Sequence, residues 1–209
     1  MYYFIRVNGK TTHNNPNCPI SYVEGEPLKF PNTYFNYLAY CLENNVIRIG
    51  WPDVGDLVTG GKKGALASGY DLASLKKHVQ AYLAAFREIR VGDVVITTDK
   101  DLTGHIYIGT VTKPYCYFHS PPNHPYECAH RVGVAWDRDS DGHPQIYHAC
   151  DLSIPIRGGF WTRAFRILDN SSLASVILPA INDARKMESA AAVVRAPGAA
   201  NRNHPNANR

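Results

Sequence analysis

A succession of short β-rich segments, separated by turns that contain Gly and Pro, constrains the fold of this chain more than any other feature. The segments lie at residues 2–7, 46–51, 94–97, 106–111, 131–136, 146–152 and 165–168. They are too short and too closely spaced for a doubly wound parallel sheet, in which long helices separate the strands. Together with two or three helices, they predict a single α+β domain built on a compact mixed β-barrel.

Helical periodicity appears in further segments between these strands. The clearest follows Asp71, a capping residue, and has one apolar face. That face consists of Leu72, Leu75, Val79, Tyr82, Leu83 and Phe86. A shorter helix is predicted between Thr33 and Asn45, and a last one after Asn170, interrupted by Pro179. These helices flank the predicted barrel.

The remaining segments differ in composition. Residues 8–31 are rich in Asn and Pro, which predicts a long loop. Residues 190–209 show no apolar periodicity, so we expect a disordered C-terminal tail after a domain at 1–189. The chain of 209 residues is long enough to fold without disulfides, and its five cysteines are an odd number. With no apolar run that could span a membrane and no signal peptide, we expect a cytoplasmic protein with reduced cysteines.

The net charge is concentrated at one end of the chain. Lys and Arg number 22 against 18 Asp and Glu, which gives a formal charge of +4. Residues 185–209 contain five of the basic residues and one of the acidic residues, so this segment alone accounts for the excess. The body before it is neutral. A nucleic-acid surface on the body must therefore come from local clustering of charge.

Most motifs that carry catalysis are missing. The segment GGKKG at 60–64 lacks the Gly-Lys-Ser/Thr ending of a phosphate loop. Neither G-x-S-x-G nor H-E-x-x-H is present, and no acidic residue stands two positions before a lysine, as the common metal-dependent nucleases require. We therefore expect a protein that is not an enzyme and that binds no cofactor.

One segment collects potential metal ligands, namely Cys116, His119, His124, Cys128 and His130. Zinc takes four such ligands in a tetrahedron, but this spacing matches no regular pair of Cys ligands. A proline-rich surface loop without a metal is the favoured interpretation. The same segment leaves an alternative function open, a small RNA-acting hydrolase that uses His119 or His130 together with a lysine.

Aromatic residues stand at the ends of several predicted strands. Trp51 ends one segment, and Tyr115 and Tyr117 follow another. An indole at a strand end beside further rings can form an open slot, and nucleic-acid bases are the commonest flat ligands of such a slot. Tyr115 and Tyr117 point the same way if the chain stays extended, but not if it turns at Pro114. Trp136 ends an apolar strand, so we expect it in the core.

The order of motifs around these aromatic residues resembles a known family. The motifs are IGW-x-x-x-GDL, a helix, F-x-x-I-x-x-GD-x-V-I, I-x-IG-x-V-x-x-x-Y-x-Y and V-x-W, within residues 33–137. This order is similar to that of the EVE-type, PUA-like domains at the N-termini of McrB-type modification-dependent restriction proteins. Relatives of that fold, including the YTH readers, flip a modified base into an aromatic cage. The resemblance implies a PUA-like barrel with a cage of Trp51, Tyr115 and Tyr117, and with Asp53 accepting a hydrogen bond from an exocyclic amino group.

Basic residues indicate where a phosphate backbone would lie. The candidates are Lys62, Lys63, Lys100 and Lys113 near the predicted slot, and Arg157, Arg163 and Arg166 in a segment that also contains Trp161. The chain is thus predicted to bind nucleic acid, DNA rather than RNA, and to read a methylated base by flipping it out. No nuclease or motor motif accompanies the reader, so cleavage in a restriction or anti-phage system would need a separate subunit. A nucleotide-sensing or protein-interaction subunit is a further alternative.

Overall fold

A mixed sheet of seven strands organises the computed structural model. The structure describes residues 1–7, 22–23, 26–27, 37–51, 54–59, 72–98, 104–117, 130–152, 154, 165–169 and 174–195. The strands are β1 (Tyr2–Ile5), β2 (Tyr22–Val23), β3 (Glu26–Pro27), β4 (Val46–Ile49), β5 (Val94–Thr98), β6 (His105–Tyr117), β7 (His130–Trp136), β8 (Tyr147–His148) and β9 (Phe165–Ile167). The α-helices are α1 (Tyr37–Glu43), α2 (Lys77–Arg87) and α3 (Ala174–Arg195).

The strand order of the main sheet is β4-β7-β6-β5-β1-β9, with β8 paired to β6. Neighbouring strands are antiparallel, except that β1 runs parallel to β5. Within the described part of the chain, no ladder joins β4 to β9, so the sheet is open and the expected closed barrel is not formed. The coarser prediction of a mixed α+β fold is confirmed.

Both faces of the sheet carry apolar clusters, because successive side chains of a strand point to opposite sides. One cluster includes Tyr3 and Ile5 of β1 and packs against α1 and α2. The other includes Phe4 and packs against Ile177 of α3. A central strand between two such clusters has no exposed side, which explains why all five residues of β5 are buried.

The structure confirms most strand predictions and corrects several bounds. Strands β5, β6 and β7 contain the predicted segments, and β6 continues well beyond them to Tyr117. The segment predicted at 146–152 forms only the two-residue β8, because the chain turns after it. A two-stranded hairpin, β2–β3, lies inside the stretch expected to be a loop. The position of Asp71 falls outside the described residues, and α2 begins later, at Lys77.

The last helix is longer than expected at its C-terminal end. It passes through Pro179 and reaches Arg195, whereas we expected the ordered domain to end at residue 189. Ile177 and Ile181, on either side of Pro179, are completely buried, and this burial offsets the hydrogen bond that proline removes. The Ala-rich sequence after residue 189 supports a helix through intrinsic propensity, without the apolar periodicity on which the prediction relied. None of the described helices is long and apolar enough to cross a membrane.

Trp136 lies in the core, as predicted. Its side chain is 4% exposed, and its indole Nε1–H donates to the carbonyl oxygen of Cys41 at 2.9 Å. The ring fits there because Gly109, directly opposite on β6, has no side chain. A Cβ at Gly109 would lie 2.9 Å from the Trp136 ring and 2.9 Å from the Ala135 carbonyl oxygen.

We therefore expect Gly109→Ala to lower the free energy of unfolding by about 1–3 kcal/mol, the usual cost of overpacking a core. Gly50→Ala is the matched control, since the closest atom to a Cβ there is the end of Arg48, 4.0 Å away. Urea unfolding of both variants measures the difference. Equal stability of the two variants would contradict the close packing at Gly109.

Candidate functional site

A strained turn at Trp51 marks the end of β4. Trp51 has a φ angle of 65°, in the left-handed region that bulky side chains avoid at a cost of about 1–3 kcal/mol. Its carbonyl oxygen accepts two hydrogen bonds, from the backbone N–H of Val54 at 3.2 Å and from Nε2 of His130 at 2.9 Å. The indole is half-buried against the core cluster of α1 and α2. The turn is thus held both locally and from a distant strand.

His130, the first residue of β7, joins this turn to β6. It is 0% exposed, and both of its ring nitrogens have partners. A carbonyl oxygen only accepts, so Nε2 carries the proton toward Trp51. In the neutral ring Nδ1 then accepts from the hydroxyl of Tyr115, 2.9 Å away. The Tyr115 oxygen in turn accepts the backbone N–H of Leu57 at 3.1 Å. We call this chain of Leu57, Tyr115, His130 and Trp51 the Trp51 relay.

Burial controls the protonation of the relay. It lowers the pKa of His130 to about 4, although the hydrogen bond to Trp51 and the charge of Asp56 act in the opposite direction. Burial also raises the pKa of Tyr115 well above its usual value, while the hydrogen bond from Leu57 lowers it. Both rings are therefore neutral at pH 7. With both nitrogens engaged and a low pKa, His130 is poorly suited to the general-base role of the hydrolase alternative.

Tyr115 and Tyr117 lie on the same side of β6, next to His130. The strand stays extended through Pro114, which lies within the second register shift of the β6–β7 ladder, between Lys113 and Cys116, where a missing N–H is tolerated. The Tyr117 ring lies 5.1 Å from the His130 ring, and the Tyr115 ring lies 6.0 Å from it at an interplanar angle of 25°. Phe86 of α2 contacts Tyr115 edge-on at 6.3 Å. The structure therefore gathers Tyr115 and Tyr117 beside the Trp51 turn.

The described part of the structure contains only some of the residues predicted to contact a phosphate backbone. Residues Asp53, Lys62, Lys63, Lys100, Arg157 and Arg163 lie outside the described residues, as does Trp161. Arg166 is on β9, three strands from β6. Its neighbour Phe165 packs in the cluster of α1 and α2, so Arg166 faces the other side of the sheet. Arg166 is therefore separated from the Trp51 turn.

Lys113, a predicted phosphate contact, lies beside two arginines that were not predicted as such. A Cβ on Gly133 would lie 2.7 Å from Cβ of Lys113, so the Lys113 stem covers Gly133 of β7. Arg131 shares that face of β7, and Arg48 of β4 is directly opposite Arg131. We call Arg48, Arg131 and Lys113 the basic strip. It occupies the face of the sheet opposite to His130.

Aromatic contacts connect the basic strip to α1. The Arg48 guanidinium carbon lies 3.9 Å from the centre of the Tyr37 ring, a cation–π contact, and Arg48 is 6% exposed. Arg131 Nη1 donates to the hydroxyl of Tyr40 at 3.3 Å. Lys113 is exposed. Lys113 and the partly exposed Arg131 are the members of the strip that a ligand can reach from solvent.

The candidate zinc ligands do not converge where the structure describes them. Cys116 pairs with Arg131 and faces away from His130, whose nitrogens are both engaged. His119, His124 and Cys128 lie outside the described residues. Elsewhere, Asp139, Asp141 and His143 have ligand atoms within 4.8 Å of one another, but they sit on a turn that is closed by hydrogen bonds to Asp139. These bonds explain the grouping without a metal.

The sequence did not predict the hydrogen-bond partners of His130 or the position of Arg48 beside Arg131. A signal for His130 existed, because alternation along β7 places it on the same face as Val132 and Val134. The same rule separates Arg48 from the flanking Ile47 and Ile49. Alternation therefore assigns faces, although it does not identify hydrogen-bond partners on other strands.

A family model described as a domain of unknown function, DUF8426, matches residues 34–151. No curated protein and no solved structure matches the chain. The matched span contains α1, β4, α2 and β5 to β8, and thus every residue of the Trp51 relay and the basic strip. Strands β1 and β9 and helix α3 lie outside it.

Proposed function

The chain belongs to the DUF8426 family, and we propose that it is a non-catalytic module that binds nucleic acid and reads a modified base. The base, in the simplest case a methylated one, is extruded and stacks on Trp51, with Tyr117 and Tyr115 beside it. DNA is the preferred target. We place the protein in a restriction or anti-phage system in which a separate subunit supplies cleavage.

The conformation of Trp51 is the observation that carries this proposal. Strained backbone persists only where the surroundings hold it, and it clusters at ligand sites. At a φ of 65°, glycine would be free of strain, yet this position holds tryptophan, the amino acid with the largest side chain. Two hydrogen bonds to the Trp51 carbonyl hold the backbone in this conformation. A half-buried indole held in this way presents a rigid flat surface, which is what stacking on a base requires.

Extrusion follows from the geometry of nucleic acids. A base within a duplex shows only its edge, so an aromatic surface can stack on it only after it leaves the helix. Unpairing costs a few kcal/mol, and one aromatic–base stack returns about 1–3 kcal/mol. Burial of an added methyl group contributes about 0.8 kcal/mol. We therefore expect a modest preference for the methylated base, unless hydrogen bonds in the pocket, for example to Asp53, add to it.

The placement of the motifs supports a PUA-like, EVE-type relationship. The IGW turn follows β4, the intervening helix is α2, and the other motifs lie on β5, β6 and β7. These strands adjoin one another in the sheet. We propose that Lys113 and Arg131 of the basic strip contact the phosphate backbone, together with the residues predicted from the sequence, Lys62, Lys63 and Lys100.

A panel of short oligonucleotides tests the function directly. Single- and double-stranded DNA and RNA, each with and without methylated adenine or cytosine, are titrated in magnesium and in chelator. We expect retention without cleavage and tighter binding of one methylated oligonucleotide. Equal or absent binding across the panel contradicts the reader, and magnesium-dependent cleavage by the pure protein favours the hydrolase.

The lysine pair of the Gly-rich loop provides a further prediction. Replacing Lys62 and Lys63 by Ala should weaken modified and plain oligonucleotides by the same factor and flatten the salt dependence, because phosphates carry no base information. Lys76→Ala with Lys77→Ala, which removes the same charge at the exposed start of α2, is the control. Unequal effects on the two oligonucleotides would place the loop lysines at the base instead.

A further inference from the structure

We infer that His130 is a positioning residue, which sets the presentation of Trp51 by holding the Trp51 carbonyl through Nε2. The Trp51 carbonyl sets the tautomer of the ring, and Tyr115 contacts the other ring nitrogen. The inference rests on the proposed function for its effect on binding, but the positioning itself is a property of the protein without a ligand. His130 touches no base in this arrangement, because its ring is completely buried.

The partners of the ring leave one assignment of protons. The Trp51 carbonyl requires a donor at Nε2, so a neutral His130 presents a lone pair at Nδ1 to the hydroxyl of Tyr115. The Tyr115 oxygen accepts from Leu57, and the Asp56 carboxylate lies within hydrogen-bonding distance of the same hydroxyl. The Trp51 carbonyl thus sets the proton of the ring at Nε2. Reversing the tautomer would place two acceptors against each other at Trp51.

The Trp51 relay bonds both ends of one turn to strands of the sheet. Trp51 begins the turn and Leu57 ends it, and both are bonded to residues of β6 and β7. Between them Val54 is buried, and its N–H closes the turn onto Trp51. The indole can keep one orientation only if the carbonyl of its strained residue stays in place. Among the described contacts, the bond from His130 is the only hydrogen bond to Trp51 that comes from a distant strand.

The tautomer is measurable in the unmodified protein. Nitrogen NMR of histidine-labelled protein distinguishes Nε2–H, Nδ1–H and the charged ring. We expect one of the nine histidines to be neutral with its proton on Nε2 at pH 7 and to stay neutral at pH 5.5, and we expect that resonance to be lost in His130→Gln. A His130 that carries its proton on Nδ1, or that is charged at pH 7, would overturn the inference.

Two amide substitutions separate the two ends of the ring. The Gln side chain places its amide near the position of Nε2 and can donate to Trp51, whereas the Asn amide lies near Nδ1 and cannot reach it. Fluorotryptophan labelling reports the result, because the sequence has three Trp and the Trp51 line is assigned with Trp51→Phe. We expect His130→Gln to preserve a single sharp Trp51 line and His130→Asn to shift or broaden it. The line of the core residue Trp136 should stay in place and shows that each variant is folded.

Affinity provides the final comparison. With the methylated oligonucleotide that binds best, His130→Asn should raise Kd about tenfold, and His130→Gln should change it less than about twofold. Identical Trp51 lines and affinities in the two variants would refute the positioning role. If the wild-type protein binds no oligonucleotide, the proposed function fails, while the fluorine and nitrogen spectra still decide the role of His130.

Discussion

Replacing Trp51 by Ala is expected to weaken binding of the methylated oligonucleotide by about 1–3 kcal/mol, the range for one lost aromatic–base stack. The preference for methylated over plain oligonucleotide should shrink as well, because the methyl group loses its apolar wall. Trp51→Phe, which keeps a ring, should lose less than Trp51→Ala. Fluorescence anisotropy titrations with both oligonucleotides measure the three affinities.

The strained backbone of Trp51 supplies a control for folding. At a φ of 65°, Ala keeps the left-handed strain whereas Gly relieves it, so Trp51→Gly should be about 1 kcal/mol more stable than Trp51→Ala. If stacking is the role of Trp51, both variants lose binding equally despite their different stabilities. Binding that follows the stability of the variants would identify Trp51 as a structural residue. Undiminished affinity in a folded Trp51→Gly protein would exclude the aromatic cage.

Lowering the pH from 7 to 5 is expected to cost the fold about 2 kcal/mol through His130 alone. Its pKa is about 4 in the folded protein and about 6.5 when exposed. Below pH 6.5 His130 is protonated in the unfolded chain but stays neutral in the folded protein. The contribution of His130 to the free energy of unfolding is therefore fully present above pH 6.5 and is lost as the pH falls toward 4. Urea unfolding at the two pH values measures the loss.

His130→Gln isolates this contribution, because Gln does not titrate while the other groups remain. The fall in stability between pH 7 and pH 5 should be about 2 kcal/mol smaller in the variant than in the wild type. Asp56, Tyr115 and Tyr117 are the ionisable neighbours of the ring, and all three are kept in this comparison. The same pH dependence in both proteins would mean that His130 is not buried in its neutral form.

The local pattern left two alternatives for Tyr115 and Tyr117, depending on whether the chain turns at Pro114. Two residues apart in an extended strand, they had to share a side, and the structure shows that β6 remains extended through Pro114. The proline itself argued for a turn. It is accommodated because the ladder to β7 shifts register between Lys113 and Cys116, a property of the pair of strands that neither strand specifies alone.

The relay and the basic strip show where local pattern was insufficient. The sequence made His130 a candidate metal ligand or catalytic base. Its hydrogen bonds to Trp51 and Tyr115 change this interpretation, and these partners are 79 and 15 positions away in sequence. Arg48 and Arg131 meet only through the register of β4 and β7. Sequence distance conceals such contacts, since hydrogen bonds and ladder registers depend on which segments become neighbours.

The sequence by itself determined where most of the strands and helices lie, and which side of a strand is apolar. It did so because alternation, helical periodicity and the preferences of Gly and Pro act over a few residues. Only the tertiary structure decided that the sheet stays open, that a histidine holds Trp51, and that Lys113 lies over Gly133 beside Arg131. These outcomes depend on register and on burial between segments far apart in sequence, and burial is what makes His130 neutral and its hydrogen bonds strong.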